Sequence, residues 1–134
     1  MREIEFRGLS VNGDWYYGLL SEIKEKRNGL EKGFYISNRA GMPFAYQIRP
    51  ETIGEYVGLK DKNGKKIYEG DIVRAWFPGM PHDLRATQEI MFIDGCFGCG
   101  DYPLKLIDKV TIEVISDIYE NPKPLSKVHA TESA

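Results

Sequence analysis

Apolar and polar residues alternate along most of this chain in short runs, and a turn signal follows nearly every run. Ile4 and Phe6 stand between charged neighbours, and Trp15–Leu20 is aromatic and apolar. Between them lies Asn12-Gly13, a pair that tolerates positive φ and is the strongest short hairpin signal. The pattern predicts an N-terminal β-hairpin. Phe34–Ser37 and Tyr46–Arg49 read as further strands, the second stopped by Pro50. Ser21–Lys32 is polar, and Ile23 and Leu30 are too few anchors for a buried helix. Helix and loop both stay open there, with Asn28-Gly29 as a turn. Arg39–Pro43 reads as a loop and Pro50–Ile53 as a single turn.

The pattern is clearest in the middle of the chain. Glu55–Leu59 alternates as a strand, Asp61-Lys62-Asn63-Gly64 reverses it, and Ile67–Phe77 continues as strand with a break at Gly70. Pro78–His82 is a loop stiffened by its prolines. Asp83–Gln88 reads as polar loop or a short helical turn. Glu89–Asp94 reads as a strand, Gly95–Gly100 as a glycine-rich loop, Tyr102–Ile107 as a strand and Lys109–Tyr119 as a long final strand. Short strands at this turn spacing predict a mainly β protein. Residues 1–52 form an N-terminal β region, residues 53–121 a small Src-homology-3-like β-barrel, and residues 122–134 a flexible tail.

The run Gly58-Leu59-Lys60-Asp61-Lys62-Asn63-Gly64 through Ile67-Tyr68-Glu69-Gly70-Asp71-Ile72-Val73 resembles the YopX family, small proteins carried by phages and prophages of Gram-positive bacteria. Val114–Pro122 resembles the family's closing motif, with Ser116 and Asp117 standing where glycine and asparagine are usual. The resemblance implies a phage accessory protein and supplies no chemistry. It marks Gly58, Asp61, Asn63, Gly64, Tyr68, Glu69, Gly70 and Asp71 as residues that hold the fold.

Composition changes this picture little. The 134 residues are 42% hydrophobic, enough for a core, and carry a formal charge of −2, which argues against a generalised phosphate-binding surface. The charged opening residues hold no signal peptide and no stretch has the length to span a bilayer, so a cytoplasmic protein with reduced cysteines is expected.

Candidate chemistry is sparse. Cys96-Phe97-Gly98-Cys99 has the spacing of a metal or dithiol pair. The chain has only two cysteines and two histidines, and no second pair has ligand spacing. Two small residues packing a tight loop are therefore favoured. Asp61–Gly64 fails as a calcium loop on spacing. Glu69 and Asp71 read as backbone-bonding groups at a bend rather than an acid–base pair. Lys60, Lys62, Lys65 and Lys66, with Trp76 nearby in sequence, form a candidate contact surface for nucleic acid or a partner. The competing reading is a lysine-defended sheet edge. The expectation is a non-catalytic binding or assembly module, with no cofactor and no metal, acting on a protein partner or on copies of itself. A nucleic-acid-binding barrel using Lys60–Lys66 is the alternative. An enzyme built on Glu69, Asp71 or Cys96 is the third.

Overall fold

The computed structural model describes residues 3–37, 45–100, 102–120 and 128–130. The chain divides into two compact units, residues 1–56 and 57–134. Both are built from antiparallel sheet.

In the first unit, β1 (Phe6–Leu9), β2 (Trp15–Ile23), β3 (Gly33–Ser37) and β4 (Ala45–Ile48) follow one another, and a 3-10 turn at Pro50–Thr52 leads into β5 (Gly54–Lys60). The strands lie in the order β4-β3-β2-β1-β5. The expected hairpin forms: Leu9 faces Trp15, and Ser10 and Asp14 close the turn with an N–H···O bond of 2.9 Å. The sheet curls. Ile48 bridges to Ser10, and the Arg49 N–H donates to the Leu9 carbonyl at 2.8 Å, so the far strand returns beside β1. Thr52 fixes this return. Its hydroxyl accepts the Leu9 N–H at 2.9 Å and donates to the Arg49 carbonyl at 2.7 Å. Ile36 and Ile48, on one face of the curl, are fully shielded.

In the second unit, the end of β5 turns back into β6 (Lys66–Tyr68). There follow β7 (Asp71–Ala75), β8 (Leu84–Ile93), β9 (Cys96–Cys99), β10 (Tyr102–Pro103), a 3-10 turn at Leu104–Leu106, β11 (Glu113–Asp117) and β12 (Val128–Ala130). The main sheet runs β10-β9-β8-β7-β11, with β12 beside the start of β8. Ile67, Val73 and Ile90 have no exposed surface and form the core with Phe77, Leu104 and Ile112. Each such aliphatic side chain contributes about 1.5–3 kcal/mol on burial.

The all-β reading holds, and several local expectations change. Among the described residues the ladders stay open and no barrel closes. The polar stretch Leu84–Gln88 is strand, because β7 pairs along one side of it and β12 along part of the other. Cys96–Cys99 is strand rather than loop, while Tyr102–Ile107 is two strand residues and a 3-10 turn. The last long strand shortens to Glu113–Asp117. Ser21–Ile23 extends β2, and Arg27–Leu30 makes the tight turn, with Asn28 at φ 49° and Gly29 at φ 84°. Within the stretch read as a tail, Val128–Ala130 runs as β12. The Arg39–Pro43 loop lies outside the described residues. Among the described residues, no helix is long and apolar enough to cross a membrane.

Candidate functional site

The lysine hairpin is organised by a carboxylate. Asp61 is only 6% exposed. Its Oδ1 accepts the N–H groups of Asn63 and Lys65, both at 2.9 Å, and its Oδ2 accepts the N–H of Val114 at 3.0 Å. Burial pushes the carboxyl up, but the bonds from Val114, Lys65 and Asn63 and the Lys65 charge outweigh it and hold the group below its ordinary value. The Lys62 N–H donates to the Ile112 carbonyl at 2.9 Å, so the turn covers the outer edge of β11. Lys60, Lys62 and Lys65 are exposed and Lys66 is half-buried. The cluster is interleaved with acid: Lys62 Nζ lies 3.8 Å from Glu113, which also takes a 2.8 Å bond from Arg74. That bond comes first among the causes that hold Glu113 below its ordinary value, and it prevails over the opposing push of burial. Trp76 is half-buried, and its indole N–H is committed to the Met80 carbonyl at 3.0 Å.

The remaining motif residues hold turns. Gly58 and Gly64 are exposed, and Tyr68 is buried. Asp71, 1% exposed, accepts the Tyr68 N–H at 2.8 Å and folds Tyr68-Glu69-Gly70-Asp71 back on itself. Gly70 sits there at φ 90°, a left-handed conformation that a side chain would strain. Its N–H donates to Ile90 and its carbonyl accepts from Ile118, both at 2.9 Å. Asp117 accepts the N–H groups of Tyr119 at 2.9 Å and Glu120 at 3.0 Å.

The two cysteines do not meet. Cys96 faces Ile93 in the β8–β9 register and Cys99 faces Ile90, and residues three apart on a strand point to opposite faces. Cys96 is exposed. Cys99 is buried, and burial pushes its thiol up to about 12. Among the described residues, no group of three or more His, Cys, Asp or Glu side chains could hold a metal ion. Neither Glu69 nor Asp71 lines the cleft beside Cys96.

A second surface, which the sequence pattern had not singled out, lies at the tip of the β8–β9 hairpin. At the end of β8, Met91, Phe92 and Ile93 are exposed by 40%, 54% and 45%. Phe92 packs edge-on against Phe97, ring centroids 5.0 Å apart. Met91, Ile93 and Cys96 lie on the other face, beside a cleft of about 280 Å³ that reaches Tyr102 and Pro103. Both faces of the ribbon are therefore apolar. The signal was the unbroken run Ile90-Met91-Phe92-Ile93, where a half-solvated strand would alternate.

Two open antiparallel sheets with aspartate-tied turns and an apolar hairpin tip define an all-β protein. The chain belongs to the YopX family: residues 5–126 match the family described as YopX protein. No curated protein matches it. Among solved structures it is similar to protein EF1440 from Enterococcus faecalis, at 22% identity over 92% of this chain and 98% of that chain, with a TM-score of 0.53. At that identity the likeness shows the fold alone.

Proposed function

We propose that this YopX-family protein is a phage- or prophage-encoded accessory module that works in the host cytoplasm by binding a macromolecule, without chemistry of its own. One observation carries the reading: the β8–β9 hairpin presents exposed Met91, Phe92 and Ile93 in succession, an apolar patch of the kind that marks interaction surfaces. Tagged protein captured from phage-producing cells is expected to bring down a partner that is lost with Phe92→Ser. Identical capture by both forms would count against it. A second reading keeps Lys60, Lys62 and Lys65, exposed around one turn, as a nucleic-acid contact. It requires salt-sensitive binding that Lys62→Glu with Lys65→Glu abolishes; absence of binding at low salt removes it.

A further inference from the structure

We propose that copies of this chain associate head to tail, the apolar and acidic tip of the β8–β9 hairpin of one copy seating on the basic end of the C-terminal sheet, around Lys62, Lys109 and Val110, of the next. This rests on the binding-module reading and names the partner as a second copy.

Three observations converge. The first is charge. Residues 86–104 carry Glu89, Asp94 and Asp101 and no lysine, arginine or histidine. The other patch gathers Lys60, Lys62, Lys65 and Lys109 against Asp108 and Glu113, around Val110, which is 80% exposed.

The second is placement. The Trp76 N–H donates to Thr111 Oγ1 at 2.9 Å, just beyond the point where Ala75 faces Ala86. The Lys62 N–H···Ile112 bond brings the lysine hairpin to the same end. The tip lies at the far end of β8, about 24 Å away at the usual rise per strand residue. A two-fold contact centred on either patch would set like on like, Asp94 facing Asp94 or lysine facing lysine. A heterologous contact joins unlike patches and satisfies both.

The third is that the edges of the C-terminal sheet are short or partly covered. The Asp61 turn covers part of β11, β12 covers the start of β8, and β10 is two residues long and carries Pro103, which has no N–H to offer. Little continuous edge is left for strand pairing, so side chains carry most of the contact. Three half-exposed side chains supply far less than the roughly 800 Å² per partner of a standard interface, so the association is weak and salt-sensitive.

The test is sedimentation velocity of the full chain over a concentration series at low salt. Three forms are compared: wild type, a tip variant (Phe92→Ser with Asp94→Lys) and a base variant (Lys62→Glu with Lys109→Glu). Wild type is expected to gain mass with concentration and to lose it as salt rises. Each variant alone should stay monomeric. The tip variant mixed with the base variant should give dimers that stop at two, since the tip variant lacks Phe92 and only the intact tip of one form seated on the intact base of the other remains productive. Circular dichroism checks the folds. Should the tip variant unfold, Asp94→Lys alone, at an exposed turn, is expected to weaken assembly about three- to tenfold. A wild type that stays monomeric to about millimolar concentration overturns the proposal, as does one that stops at a dimer or a mixture that forms none. If wild type is monomeric while a captured partner still depends on Phe92, head-to-tail contact fails and the binding-module reading stands. If capture ignores Phe92, both fail.

Discussion

Asp61 is shielded from water yet held charged, because three backbone N–H groups replace its hydration. Asp61→Asn exchanges one acceptor oxygen for an NH2 that would face either Val114 N–H or the Asn63 and Lys65 pair. The expected cost is about 1–3 kcal/mol in urea unfolding. The pH dependence has a definite sign. Asp61 and Glu113 have folded pKa values below their unfolded ones. The stability they contribute is present above the ordinary carboxylate range and is lost as pH falls through the lowered values. Glu89 acts in the opposite direction: burial raises its pKa, so the cost of ionising it disappears as pH falls through the raised value. Stability is expected to fall below about pH 4, and Asp61→Asn should flatten that fall in denaturation midpoints measured across acid pH. The cysteines offer a separate check. Iodoacetamide at mildly alkaline pH should label Cys96 and spare Cys99, giving one adduct per native chain by mass spectrometry and two after unfolding.

At the scale of elements, close approach decides what alternation does not. At Gly98 a Cβ would run into the Tyr102 carbonyl oxygen and the Pro103 backbone. Gly98→Val is therefore expected to detach β10 from β9 and cost about 1–3 kcal/mol, seen as lost amide protection at Cys99 and Tyr102 in hydrogen exchange. Strands with alternating apolar residues were legible: β1, β2, β5 and β7 lie close to where the pattern put them. Leu84–Gln88 was not, because it alternates weakly and becomes strand through partners supplied by β7 and β12. Turns flanked by Asp or Asn and Gly were legible too, since their chemistry is local. Val114 as the partner of Asp61 was not, for nothing near either residue announces the other.

At the scale of the whole molecule, the all-β class followed from periodicity, whereas closure into a barrel depends on which strand ends meet, and periodicity says nothing of that. The formal charge of −2 also hid something: an average near zero contains one stretch of the C-terminal unit without cations and another rich in lysine. Attention to the lysines also passed over the unbroken apolar run Ile90–Ile93, which the average does not show. The Asp61–Val114 bond has a temporal consequence as well. Its partners lie 53 residues apart in the chain. At roughly 5–20 residues per second of ribosomal synthesis, the nascent chain carries that carboxylate for about 3–10 s before its third donor is even made. A polypeptide released early, before Val114, would leave the ribosome with its turn half tied and its β7 edge bare, ready prey for cellular proteases.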